Sequence, residues 1–172
     1  MHDLQRTANL LGATALAVAD LSLTGASSAA GVSASGAAAL VVLSASGPLG
    51  ATELGRRVGL SQPAAARMVD SLERAGLAER RRRSARSVPV ALTPAGERAA
   101  ARVLAERGGP LADAVAALDH DERAALSTLL GKLLTRLYAE VGDADLMCRL
   151  CDRACCVRDA VCPVGQAERV AV

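Results

Sequence analysis

Residues 49–96 read LGATELGRRVGLSQPAAARMVDSLERAGLAERRRRSARSVPVALTPAG, and their punctuation decides the fold. A short helical run, Ala51 to Val58, ends at a Gly59-Leu60 turn, and a longer one opens at Ser61. Ser61 suits an N-cap, where a side-chain oxygen accepts from first-turn N–H groups, and Pro63 falls in that turn, where its missing N–H is harmless. Met68, Val69 and Leu72 recur at helical spacing as an inward stripe, and Gly76 closes the helix. Leu77 to Arg82 and Ser87 to Leu92 then read as two strands of a hairpin with a polar tip at Arg83 to Arg86. Thr93-Pro94 opens the next helix, with Thr as cap and Pro at the first helical position. A short helix, a turn, a longer helix and a hairpin in this order predict a winged helix-turn-helix.

Outward from this segment the chain reads as helix. A first helix runs from Leu4 to Leu23 and gives way to a Gly-, Ser- and Ala-rich linker, Thr24 to Ala34, punctuated by Gly25 and Gly31. A second starts at Ser33 or Ser35, is apolar all round from Ala37 to Leu43, as a helix buried in a small domain should be, and stops at Gly47-Pro48. On the far side, the helix after Thr93 is expected to run to about Glu106, where Gly108-Gly109-Pro110 interrupts it. Leu111 to Ala117 and Asp121 to Glu140 follow, the latter capped by Asp119 and carrying a wide apolar seam through Leu126, Leu129, Leu130, Leu133, Leu134 and Leu137. The fold class is therefore mainly α with a small β-hairpin wing.

Composition agrees. The 172 residues are 51% hydrophobic, enough to bury a core, yet there is no Trp or Phe and Tyr138 is the single Tyr, so Ala, Leu and Val must fill it. Lys and Arg total 20 against 18 Asp and Glu, so net charge says little. Its distribution says more, because Lys132 is the lone Lys and Arg crowds into residues 56–86, the kind of local patch that attracts phosphate. The apolar run Leu10 to Ala19 imitates a secretory signal, but His2, Asp3 and Arg6 give no positive leader, and no uninterrupted stretch reads as long enough to span a bilayer. A cytoplasmic protein with no membrane partner is expected.

The helix from Ser61 meets what major-groove reading demands: short or hydrogen-bonding side chains near its start, with an apolar face behind. Ser61, Gln62, Ala65, Ala66 and Arg67 are expected to face outward, Gln suiting adenine, Arg guanine and Ala a thymine methyl. Arg56 and Arg57 on the preceding helix fall nearer the sugar-phosphate backbone, where contacts position without specifying. Arg81, Arg82, Arg83 and Arg86 lie on the wing, and Arg suits a narrow, negative minor groove.

Leu60-Ser61-Gln62-Pro63, Leu72-Glu73-Arg74-Ala75-Gly76-Leu77, and Arg86 followed by Leu92-Thr93-Pro94-Ala95-Gly96 together resemble the MarR family of bacterial winged-helix regulators, over about Leu4 to Glu140. The resemblance implies a homodimer whose first and last helices pair, two winged domains on a palindromic site of double-stranded DNA, and a small-molecule effector pocket between the two regions. It divides the chain into an N-terminal dimerisation helix and linker (1–34), a DNA-binding domain (35–97), C-terminal dimerisation helices (98–142) and a cysteine-rich tail (143–172). One departure stands out: where the family carries an Asp that orients the wing Arg, this chain has Ser84, two residues before Arg86.

The tail lies outside that resemblance. Cys148, Cys151, Cys155, Cys156 and Cys162 crowd a short segment, and in a cytoplasmic protein such crowding points to metal or redox chemistry rather than a disulfide framework. Four thiolates suit zinc or an iron–sulfur cluster, and the spacing leaves both open, along with reversible disulfides and no cofactor at all. It also leaves open whether Cys155 or Cys156 is a ligand. Nothing supports catalysis: His2 and His120 are isolated, no Gly-rich phosphate loop is present, and Cys without a partner His is a poor nucleophile. The function expected is a dimeric repressor tuned by metal or redox state. The competing reading is a metal- or thiol-based sensor whose winged domain contacts protein.

Overall fold

A computed structural model of the chain describes residues 2–81 and 88–171. Nine helices and a two-stranded sheet are present among them: α1 (His2–Ala30), α2 (Ala34–Ser46), α3 (Ala51–Arg57), α4 (Gln62–Arg74), β1 (Ala78–Arg80), β2 (Val90–Leu92), α5 (Pro94–Ala116), α6 (His120–Val141), α7 (Ala144–Met147), α8 (Arg153–Cys156) and α9 (Pro163–Ala171).

The centre of the fold is α2. Ser33 caps it by accepting from the Gly36 N–H at 3.2 Å, and every residue from Gly36 to Leu43 is buried. Such a helix owes its place to packing: each fully buried Leu stabilises the fold by roughly 1.5–3 kcal/mol. Around it Leu54, Val69, Leu72, Val90 and Val103 are all sealed from solvent, which draws α3, α4, the sheet and α5 into one core. β1 and β2 pair antiparallel with Glu79 opposite Ala91, and Leu49 adds a bridge to Val90 through N–H···O bonds of 3.1 and 2.7 Å. The expected strands are thus present but short, and the Leu49 bridge has no counterpart in the sequence reading. The hairpin tip lies outside the described residues.

Two expected interruptions are corrected. The Thr24–Ala34 linker is mostly helix, since α1 continues to Ala30 before Gly31 turns the chain at φ 63°. Likewise α5 passes unbroken through Gly108, Gly109 and Pro110. The two corrections share a cause. Pro110 has no N–H for the carbonyl four residues back, that of Glu106, and Gly25 of α1 lies so close to this carbonyl that a Cβ there would sit 3.1 Å from its oxygen. Close packing of α1 on α5 therefore covers the weak turn of one helix with the weak turn of the other, and tertiary contact overrides local propensity.

A continuous α1 also corrects the bilayer expectation: its 29 residues are long and apolar enough, by length and composition, to cross a membrane. Only Ser22 and Ala26 of it are buried, while Leu4, Leu11 and Leu16 are exposed. In α6, begun by an Asp119–Glu122 capping box, no residue is buried, and Leu129, Leu130, Leu133 and Leu137 stand open to solvent. The tail folds back as α7, α8 and α9. α9 lies along α6, where Tyr138 shares a groove with Gln166 and Val170, and α7 reaches α3.

Candidate nucleic-acid interface

α3 and α4 meet at a tight elbow. Gly59, at φ 74°, makes the turn, and a Cβ on Gly55 would come within 2.4 Å of the Ala65 Cβ. This contact corrects one expectation: Ala65 does not face outward but is 1% exposed, joining Met68, Val69 and Leu72 on the inner stripe of α4. Ser61, Gln62, Ala66 and Arg67 are exposed as expected. Ser61 takes the N-cap position with extended backbone, but its hydroxyl makes no cap bond. The first N–H groups of α4 are thus left without a side-chain cap, which is the arrangement that favours an anion at a helix start. Arg67 makes no ion pair among the described residues.

The other arginines are not alike. Arg80, first of the run of four, folds back onto α4, pairing with Asp70 at 2.7 Å and with Glu73. The bond to Asp70 raises its pKa, burial opposes it, and the Glu73 charge adds to the rise. Arg80 thereby ties β1 to the helix in front of it. Arg81 is half exposed and, among the described residues, pairs only locally, with Glu79 at 2.6 Å. Arg82, Arg83 and Arg86, together with Ser84, lie outside the described residues.

Arg56 and Arg57 are held by carboxylates, two of which come from the tail. Arg56 bonds Glu53 at 3.0 Å, Asp143 at 2.8 Å and Asp145 at 2.9 Å; Arg57 bonds Glu53 at 2.7 Å and the Ser46 hydroxyl at 3.1 Å. Hydrogen bonds from Arg56 and then Arg57 pull the Glu53 carboxyl down to about 2. Burial pushes Asp145 up, but bonds from Arg153 and Arg56 outweigh it and leave its pKa lowered. Sequence reasoning missed this clamp because its partners are 87 and 89 residues apart in the chain.

Cys148, Cys151, Cys156 and Cys162 together line two cavities, of about 170 and 420 Å³; Cys155 and Cys156 are both exposed, but Cys155 lines neither cavity. All five thiols are free. A bond from Cys151 lowers the Cys148 pKa against its burial, and the same bond, then burial, raises that of Cys151. Burial first, then the Cys151 charge, push Cys156 up to about 11. A further cavity lies between α1, α5 and the tail, bordered by Arg107 and Arg149 and by Ser22, whose buried hydroxyl has no partner among the described residues.

Comparison with known proteins agrees with this geometry. Residues 32–88 match the MarR family. The solved structure of RV1404 from Mycobacterium tuberculosis is similar at 28% identity and a TM-score of 0.64, over 74% of this chain and 88% of that one. RV2887, a MarR family protein of the same organism, is 26% identical with a TM-score of 0.59, over 73% and 91% of the two chains. A MarR family protein from Bacillus stearothermophilus shares the fold at 24% identity and a TM-score of 0.69, over 79% and 96%. No curated protein matches the chain.

Proposed function

We propose that the chain is a DNA-binding transcriptional regulator of the MarR family that acts as a cytoplasmic homodimeric repressor on a palindromic operator, tuned through its cysteine tail; the match over residues 32–88 and the similarity to RV1404 and RV2887 support this reading. The observation that carries this reading is the outer edge of α4, where Gln62, Ala66 and Arg67 are exposed beside an uncapped helix start and opposite the buried stripe of Ala65, Met68, Val69 and Leu72. Such an edge offers hydrogen-bonding and methyl groups to bases and backbone N–H groups to phosphate.

In a dimer, each subunit reads one half-site, with centres roughly 34–36 Å apart along the duplex. The exposed leucines of α1 and α6 supply the apolar surface for pairing. Arg81 and the arginines beyond it reach the neighbouring minor groove, while Arg56 and Arg57 are available to phosphate only when the tail releases them. The cavity beside Ser22, Arg107 and Arg149 is where a small effector with hydrogen-bonding groups would enter.

A mobility-shift titration against the DNA upstream of the protein's own coding region tests the reading. Sequence-specific binding that weakens steeply with salt is the expected result; binding to a protein partner with no DNA affinity favours the competing role. Arg67→Ala should lose about 1–3 kcal/mol of discrimination between matched and mismatched sites. Arg81→Ala should weaken binding to all sequences alike and reduce the salt slope by about one.

A further inference from the structure

Cys148, Cys151, Cys156 and Cys162 come together on the walls of the same tail cavities. Each is fixed by the backbone around it. The Cys151 N–H donates to the Cys148 carbonyl at 3.0 Å, Asp152 caps α8 at 3.0 Å, and the Gly165 N–H donates to the Cys162 Sγ at 3.5 Å as α9 begins. Neighbours on a helix are rotated by about 100°, so α8 can turn only one of Cys155 and Cys156 into these cavities, and it turns Cys156. Arg153 and Arg107 act on Cys148 and Cys151 from nearby, where they can balance the charge of gathered thiolates.

Resting on the reading of the tail as the tuning element, we propose that Cys148, Cys151, Cys156 and Cys162, without Cys155, ligate an iron–sulfur cluster. A single zinc draws its sulfurs to about 2.3 Å from one centre. Among the described residues no three His, Cys, Asp or Glu side chains converge in that way. An iron–sulfur cluster instead takes its thiolates around a volume, and these four together line cavities of about 170 and 420 Å³. Cys162-Pro163 also has the Cys-Pro ending found in cluster-binding runs. Loading is ligand exchange: four Fe–S bonds form to the protein as the thiolates of a cluster donor leave. The protein's S–H protons pass to the displaced thiolates, and no oxidation state changes.

The test is anaerobic incubation of the full chain with a small thiolate-ligated iron–sulfur cluster, followed by gel filtration. Wild type and Cys155→Ser should both retain iron and acid-labile sulfide in equal amounts, with broad visible absorption. Cys148→Ser, Cys151→Ser, Cys156→Ser and Cys162→Ser should each lose most of the iron. X-ray absorption at the iron edge of the loaded wild type counts the sulfur neighbours independently of how any variant folds, and an environment supplied only by buffer or nitrogen ligands overturns the site. So does wild type that refuses the cluster and takes up one zinc instead, or loss of the cluster in Cys155→Ser with retention in Cys156→Ser. Because none of these measurements involves DNA, a failure here leaves the DNA-binding reading standing, and a failure to bind DNA leaves the cluster site standing.

Discussion

The separation between α3 and α4 is set by Gly55 and Ala65, where one added methyl group would come within 2.4 Å of another. Gly55→Ala should therefore lower the stability of the whole domain by about 1–3 kcal/mol, as overpacked cores do, read as a lower urea midpoint with an unchanged slope. Glu53 acts through charge. Its folded pKa of about 2 lies below the ordinary value of 4.5, so its contribution is complete above about pH 4.5 and is lost as pH falls through about 2. The stability gap between wild type and Glu53→Gln should accordingly be open at neutral pH and close in strong acid, as followed by urea titration across that range. Ala65 shows what was legible in the sequence at this scale. Its place three residues before Met68 was visible, but Ala suits either face of a helix, and only the approach of Gly55 decides for the inner one. Arg56 and Arg57 looked like free cations because nothing near them in the chain reveals Asp143 or Asp145.

Helix order was legible almost throughout, since Ser33, Thr93 and Asp119 cap the helices that their positions predict. Glycine and proline misled where two helices repair each other, at Gly25 and at Pro110, because local signals carry no knowledge of the α1–α5 contact. The tail helices were not legible, being too short to show periodicity, although the cysteines marked the segment. What these elements do together is clearest at the α3–tail clamp, where Asp143 and Asp145 neutralise guanidinium groups that would otherwise be offered to phosphate. The double variant Asp143→Asn, Asp145→Asn should bind nonspecific DNA more tightly at low salt and steepen its salt dependence by about one to two phosphate contacts. Fluorescence anisotropy with labelled duplex measures both, and an unchanged slope would show that Arg56 and Arg57 stay out of reach of DNA even when released.

Taken as a whole molecule, the subunit is well sealed around α2 and open along α1 and α6, where Leu4, Leu11, Leu129, Leu133 and Leu137 are exposed. These exposed leucines are the surface on which the proposed homodimer would pair. Replacing Leu133 and Leu137 together by Asp should shift sedimentation toward the monomer and lower operator affinity, because the half-sites are then bound independently. The tail spans both regions, with α7 against α3 and α9 along α6, so the tuning proposed for it would act on the angle between reading heads and stalk. The shortage of aromatic side chains gives that docking an optical signature. With no Trp or Phe in the chain, its ultraviolet emission comes from Tyr138 alone, and Tyr138 lines a groove together with α9. Undocking of the tail, or quenching by a chromophore within it, can thus be followed in the unlabelled protein from the glow of one phenol.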